Sequence, residues 1–426
     1  RAARSAMARP IPRLAPVMNK VFPESVPIVS LACPFVGGFQ GYTDRQGLLP
    51  LADEENPVAD LTRETLDMAL SQLIQSFQQW REQSEPLVWV TVIQTEGNTY
   101  SKAGEQMLIG PGGQFQGLLS GGCLEGDLLE HAEDVRRTGK PHRVFYDMRD
   151  VQADELWGLG LGCDGALTIF MQRLDAATDY QPFADLADWA WEGRTGACAL
   201  VIESTDASLP VGSSLWQTAD LGGALGIDEG VQPAIVDELG RHSQPTLAQL
   251  TISNAELELF SMPVPKVPRL LIIGAGPDAS PLASLAAMQG WRTSVVDFRQ
   301  SAIDRFTAPA ELIACVEAEE LAGELDLDVF DAAVIMTHNQ ARDRGYLAAL
   351  AGAAIPYVGM LGPAKRRDRL LNEIGDAALA LKGRVYGPVG LGLGGRGPEA
   401  IALSIAAQLQ AVFTGTLTSP DQKLDL

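Results

Sequence analysis

The stretch RLLIIGAGPDASPLASLAAMQGWRTSVVD, residues 269–297, decides how the C-terminal half folds. RLLII (269–273) is an apolar run of strand length, followed by Gly274-Ala275-Gly276-Pro277-Asp278-Ala279 and a helical stretch reaching Gly290. Residues 293–296 read as a second strand, which Asp297 closes. Strand, G-x-G-x-x-A turn, helix, strand and acid in this order form a dinucleotide-binding fingerprint. Its glycines permit a tight turn and let backbone N–H groups approach a pyrophosphate at the helix N-terminus. Gly274 and Gly276 are therefore candidate cofactor-binding positions, and Asp297 is placed to accept from a ribose hydroxyl. Pro277 removes one N–H from the cradle, and Asp278 puts negative charge beside it. The same fold used as a scaffold, or for another phosphate-bearing ligand, carries equal weight.

Outward from this stretch the β-α-β alternation continues. Residues 333–336 read as a strand that ends in Thr337-His338-Asn339, ahead of a helix carrying Arg342 and Asp343. Ligands in such sheets bind beyond the carboxyl ends of the strands, which makes Thr337, His338 and Asn339 candidates. A helix N-cap formed by Thr337 or Asn339 is the competing reading. Lys365, Arg366, Arg367 and Arg369 form either a solvated helix face or a phosphate clamp. A glycine-rich loop from Tyr386 through Gly390 to Gly397 precedes a helix at Pro398, and Gly390 joins the cofactor-binding candidates. Two uncharged stretches, 345–364 and 400–420, raise a membrane question. Pro356 splits the first into helix and buried strand, and Gln408 and Gln410 mark the second as a packed helix ending near Phe413.

The N-terminal half has a different texture. Leu66, Leu70, Leu73, Phe77 and Trp80 draw one apolar helical stripe. LVWVTVIQ (87–94) reads as a buried strand. Strands at 106–109, 115–119, 143–148 and 166–172, with a helix at 124–137, complete one mixed α/β unit. Helices are expected at 183–191 and 234–239, and strands at 196–203, 247–252 and 257–261. Three prolines within residues 263–268 predict a stiff extended connector. The fold class expected is α/β: an N-terminal extension (1–60), a mixed α/β domain (61–262) and a C-terminal Rossmann-like doubly wound domain (263–426).

Two cysteines stand out. Ser120-Gly121-Gly122-Cys123 puts a thiol at a helix start, where the dipole lowers its pKa while Glu125 and Asp127 oppose that effect. Gly162-Cys163-Asp164-Gly165 closes a second glycine-framed loop. Ser120, Gly121, Gly122, Cys123, Gly162 and Cys163 are thus candidates for a functional site, with small buried hydrophobes as the alternative for both thiols. That alternative fits Cys198 and Cys315, each within a strand. The absence of C-x-x-C or ligand-spaced histidines argues against structural zinc.

Composition bounds the function classes. Of 426 residues 46% are hydrophobic, and 54 acidic side chains face 32 Lys and Arg, a net charge of −22. That balance disfavours nucleic acid, whose binding relies on Lys and Arg displacing phosphate counterions. The acidity is local: residues 21–265 hold 36 acidic and 12 basic side chains, while 266–426 hold 18 and 15. Residues 1–20 carry five basic and no acidic side chains, the pattern of a transit peptide, and are given no function. Five cysteines are too few, and odd in number, for a disulfide scaffold. The 43 glycines exceed the ordinary share of about 7% and cluster in the loops around Cys123, Cys163, Gly274 and Gly390. A cytoplasmic protein with no membrane segment is expected.

With these residues in view, the chain resembles the xanthine and carbon monoxide dehydrogenase maturation family, the XdhC/CoxI accessory proteins. The matching segments are SGGCLEGD (120–127), ELWGLGLGCDG (155–165), GAGPDA with VVDFR (274–299), THN with RD (337–343), YVGMLGP (357–363) and YGPVGLGLG (386–394). Asp164 departs from the family pattern, in which a smaller or neutral residue is usual. The resemblance implies a chaperone that binds molybdopterin, the molybdenum cofactor, and shields it while a cysteine desulfurase installs its sulfido ligand. Delivery to a xanthine dehydrogenase-type molybdenum hydroxylase follows. The family's motif cysteines carry over to Cys123 and Cys163, as molybdenum contacts or sulfur carriers, and its dinucleotide-type loop to Gly274 and Gly276. Thiolate chemistry suits a sulfur-loving metal. The cofactor is then expected between the cysteine loops in front and the glycine loops behind. The rival readings are an NAD(P)-dependent oxidoreductase built on residues 274–297, and an interaction protein with no cofactor. The oligomeric state is open, a homodimer being one reading.

Overall fold

A computed structural model describes residues 68–122, 124–149, 165–194, 196–218, 244–252 and 255–417. Residues 1–67 and the helix expected at 234–239 lie outside the described residues.

The front half is built from two antiparallel sheets. Helix α1 (Met68–Arg81) leads into β1 (Leu87–Gly97), which pairs with β2 (Gln106–Ile109) on one side and β5 (Gly165–Leu174) on the other. β3 (Phe115–Gln116) and β4 (His142–Asp147) form the edges, giving the order β3-β2-β1-β5-β4. β3 stops earlier than the sequence suggested, because Gly117 takes a positive φ of 95° and turns the chain off the edge. Strict alternation along β1 divides its side chains between two cores. Leu87, Trp89 and Ile93 face α1 and α3 (Phe183–Glu192), while Val88, Val90 and Val92 face α2 (Glu125–Thr138). A second sheet, in the order β7-β6-β9-β8, comprises β6 (Gly196–Ser204), β7 (Ser214–Thr218), β8 (Thr246–Ile252) and β9 (Ala255–Pro263). Leu200, Phe260 and Met262 from this sheet close the first core.

The proline-rich stretch is not a free connector. Its first proline ends β9, Val264 and Val267 are buried, and their N–H groups donate to Gly196 O and Ala190 O. Apolar residues between the prolines have turned a stiff segment into a packed one.

The back half is a parallel sheet in the order β12-β11-β10-β13-β14-β15. Its strands are β10 (Arg269–Ile273), β11 (Arg292–Asp297), β12 (Leu312–Cys315), β13 (Ala332–Ile335), β14 (Tyr357–Met360) and β15 (Val385–Tyr386). This is the doubly wound order, with the switch point between β10 and β13. On one face Leu270 and Ile272 pack with α4 (Ala279–Met288) and α7 (Pro398–Phe413). On the other, Leu271 and Ile273 pack with α5 (Gln340–Leu350) and with Leu370 of α6 (Ala364–Glu373). Both uncharged stretches resolve as expected, into helix, break and strand for the first and α7 for the second. Among the described residues no helix is long and apolar enough to cross a membrane. Cys198 is buried as expected, but Cys315 is exposed, since β12 is the edge strand.

Candidate functional site

In the front half the site grows from one buried carboxylate. Glu125, first residue of α2, turns back beneath the turn that precedes it. Its Oε1 accepts from the N–H groups of Leu119 (3.1 Å) and Ser120 (3.0 Å), and its Oε2 from the Ser120 hydroxyl (2.5 Å). Ser120 Oγ in turn accepts from the Leu124 N–H at 2.7 Å. This reciprocal arrangement ties the turn to the first residue of α2, while the N-cap position itself, Leu124, has no side-chain cap. Burial alone would raise the Glu125 carboxyl, but the bonds from Ser120, from its own N–H and from Leu119 outweigh it and hold the pKa below the usual value. All of these bonds point inward. Gly121 (φ 73°) and Gly122 (φ 106°) therefore stand exposed in a backbone conformation that other residues rarely adopt. Cys123 itself lies outside the described residues, as do Gly162 and Cys163.

The loop between β1 and β2 abuts Gly121 and Gly165. A Cβ added to Gly121 would lie 3.6 Å from Tyr100 Cε2, so the Tyr100 ring flanks the Gly-Gly turn. At Gly165, two residues after Cys163, an added Cβ would lie 2.6 Å from the carbonyl oxygens of Glu96 and Asn98. Gly165 is thus required by close backbone approach, and the segment after Cys163 returns against the loop that carries Tyr100. Beside it, Arg149 bridges Glu96 and Asp147 at 2.8 Å, and its guanidinium holds the Asp147 carboxyl down to about 2. Asp127 accepts from the Tyr146 hydroxyl at 2.6 Å and so is also engaged within the chain.

In the back half the predicted residues separate by role. Gly274 (φ 124°) leaves no room for a side chain, since an added Cβ would meet Met336 O at 2.6 Å. Gly276 has open space, with only His338 Cδ2 at 3.9 Å. Asp297 is 0% exposed, and four donors fill its two oxygens. Oδ2 takes the Ala275 N–H and Arg299 Nη2, both at 2.8 Å; Oδ1 takes the Arg299 N–H at 2.8 Å and Nε at 2.9 Å. Burial would raise this carboxyl, yet the Arg299 and Ala275 bonds hold it below the usual range. A carboxylate offers about four acceptor positions. At Asp297 a ribose hydroxyl would have to displace Arg299 to be accepted.

Thr337 donates to Asp343 and accepts from the Asn339 N–H at 3.1 Å. Asn339 caps α5, its Oδ1 accepting from Ala341 (3.1 Å) and Arg342 (3.2 Å). Asn339 is the N-cap, while Thr337 bonds the turn that leads into it. His338 alone of the three reaches across the crevice. It is 51% exposed, sits at φ 59°, and brings Nε2 within 2.7 Å of Asp278 Oδ2 on the glycine loop. Arg366 reaches the buried Asp343, and burial pushes that carboxyl up despite Thr337 and Arg366. Lys365 and Arg369 lie exposed on α6, while the part-buried Arg367 donates to Gly387 O at 2.9 Å. Gly390 also has a packing role: its N–H donates to Gln408 Oε1 at 2.7 Å, and an added Cβ would lie 2.5 Å from Ser404 Oγ. These contacts hold the Gly390 loop against α7.

The two halves meet away from this crevice. Arg269 Nη2 and Arg292 Nη1 donate to Trp191 O at 2.7 and 2.6 Å, and Lys266 Nζ reaches Asp331 Oδ1 at 2.5 Å. Gln72 Nε2 donates to Met288 O at 3.1 Å. Arg269, Arg292 and Asp331 mark the N-terminal ends of the parallel strands, whereas Gly274, Asp297 and Thr337 mark their carboxyl ends. These contacts lie at the opposite strand ends from Gly274 and Asp297.

With the geometry in place, comparison with known proteins adds an independent observation. Residues 270–409 match the XdhC Rossmann domain, and residues 80–147 match the XdhC and CoxI family. A Bacillus subtilis (strain 168) protein, named as a probable component of xanthine dehydrogenase, is 30% identical over 334 residues, covering 77% of this chain and 93% of that protein. The chain belongs to the XdhC and CoxI family. This XdhC/CoxI protein is also similar to the "Molybdenum cofactor insertion chaperone PaoD" of Escherichia coli (strain K12), at 22% identity over 327 residues. That match covers 76% of this chain and 83% of PaoD. A solved structure from Bacillus halodurans, described as a xanthine dehydrogenase, superposes with a TM-score of 0.64 at 29% identity. It covers 81% of the XdhC/CoxI chain and 96% of its own.

Proposed function

We propose that this protein binds the molybdenum cofactor molybdopterin, shelters it during sulfuration by a cysteine desulfurase, and passes it to a xanthine dehydrogenase-type molybdenum hydroxylase in the cytoplasm. The observation that carries this reading is the turn at residues 120–125. The N–H groups of Leu119 and Ser120 and the Ser120 hydroxyl are tied inward to Glu125, leaving two exposed glycines beside an exposed aromatic ring. A flat ring system with a phosphate tail fits such a surface, because bare backbone N–H groups hold phosphate without a basic patch. Cys123 and Cys163 would supply the thiol chemistry, and the bound cofactor would supply the molybdenum and dithiolene. The names of the B. subtilis and E. coli relatives support the same direction.

The NAD(P)-dependent oxidoreductase is the weaker reading. Arg299 occupies the acceptor positions of Asp297, and the Asp278–His338 pair spans the mouth of the glycine loop.

Protein purified from a molybdopterin-competent host should release fluorescent pterin products on acidic iodine oxidation. The Cys123→Ala/Cys163→Ala double variant should lose retention and client sulfuration by about tenfold or more, the span of one strong ligand contact. Unchanged retention and sulfuration in the double variant would remove the cysteines from the mechanism.

A further inference from the structure

We infer that Tyr100 is the stacking platform of the cofactor site: its ring is the wall against which a flat heteroaromatic ligand lies, beside the Gly121-Gly122 turn. This deepens the molybdopterin reading and rests on it. Tyr100 is 57% exposed, an unusual place for an aromatic ring, and among the described residues its hydroxyl makes no hydrogen bond. Burial normally offers a tyrosine more than exposure does.

The exposure does not come from a loose loop. On one side of the ring Thr99 donates its hydroxyl to Ser101 O at 2.6 Å, and Lys102 Nζ donates to Thr99 O at 3.4 Å. Thr99 Cγ2 and the carbonyl of Asn98 press onto Gly165, each 2.6 Å from where a Cβ would be. On the other side Ser101 is fully buried, with a hydroxyl that finds no hydrogen-bond partner among the described residues. The chain is thus anchored before and after Tyr100, while the ring between the anchors faces outward. The position of that ring is selective as well. It flanks Gly121, whose added Cβ would lie 3.6 and 3.7 Å from Tyr100 Cε2 and Cδ2, and Gly121 and Gly122 present bare backbone next to it.

A flat ligand on the ring face would have its edge along this backbone. Aromatic stacking of this kind tolerates many heterocycles, since it uses the π-face and not a hydrogen-bond code. It is the ring that matters here, and the hydroxyl adds nothing.

The test uses the full-length chain expressed in a molybdopterin-competent host, with pterin per mole of protein read by fluorescence after acidic iodine oxidation. Tyr100→Ala should lower retained pterin by about tenfold, within the usual span for losing one stacked ring. Tyr100→Phe should restore retention, because it keeps the π-face. Phe145→Ala, which removes a ring of similar exposure (56%) on β4, should change nothing. Melting temperatures of all three should match the parent, separating binding from folding. Retention equal to the parent in Tyr100→Ala overturns the platform while leaving the chaperone reading standing. Loss in Tyr100→Phe as well as Tyr100→Ala overturns it too, because the ring alone would then not suffice. A parent protein without pterin overturns both.

Discussion

At residues 120–125 and again at 274–299, a glycine-bearing turn ahead of a helix is anchored by a buried carboxylate that accepts backbone N–H groups. Glu125 sits under its turn and takes the N–H groups of Leu119 and Ser120, so the glycines keep their outer surface. Asp297 ends β11, takes the Ala275 N–H, and gives its remaining acceptor positions to Arg299. Around Glu125 the glycines stay exposed; around Asp297 the acceptor positions are already filled. A helix N-terminus framed by glycines is therefore only a starting point, and the direction of its anchoring bonds decides what it can bind.

Matched substitutions put the comparison under most strain. Asp297→Ala should cost about 2–3 kcal/mol, since it leaves the buried Ala275 N–H without an acceptor and removes the anchor of the half-exposed Arg299. Glu125→Ala should cost about 2–3 kcal/mol by freeing two buried N–H groups and the Ser120 hydroxyl. Chemical denaturation gives both values. Retained pterin separates them: it should fall in Glu125→Ala and persist in Asp297→Ala under conditions where both remain folded. Equal retention in the two variants would erase the distinction between the turns.

A pH series sharpens the same contrast by a smaller amount. Both carboxyls lie below their ordinary range when folded. Their contribution to stability is complete above the unfolded-state values, about pH 4, and is lost as pH falls through the folded-state values. Glu125→Gln should therefore flatten the acid side of the stability profile, measured by thermal melts from pH 7 downward. An unaltered profile would show that Glu125 does not carry its share.

The smallest effect belongs to the Asp278–His338 bridge. His338→Ala should change stability by less than about 0.5 kcal/mol, because the imidazole is half exposed and such pairs are weak in water. A thermal melt shifted by several degrees would show that the bridge fastens the crevice more firmly than its exposure implies.

Much of the back half was legible from its residues. The apolar runs at 269–273 and 333–336, the glycine turn and the prolines all act locally, through strand length, φ and missing N–H groups. The cap of α5 was readable as Thr337 or Asn339, because Thr and Asn side chains bond to their own neighbours. The edge position of β12, which exposes Cys315, was not legible, since sheet order depends on residues far apart in the chain. Tyr100 left a faint signal, an aromatic residue inside a polar turn-forming segment (EGNTYSKAGE, 96–105), but its neighbour Gly121 lies across the sheet end.

The sequence by itself determined that this chain carries a Rossmann-type unit behind a mixed α/β unit, and that glycine loops with thiols distinguish it. Only the tertiary structure decided which loops remain open. Whether Asp297 or Glu125 has acceptor positions to offer depends on donors brought in by folding, and whether Gly390 or Gly165 serves a ligand depends on what packs where a Cβ would be. The two halves join at the N-terminal ends of the parallel strands for the same reason: Trp191, Arg269 and Arg292 meet only once both cores have formed.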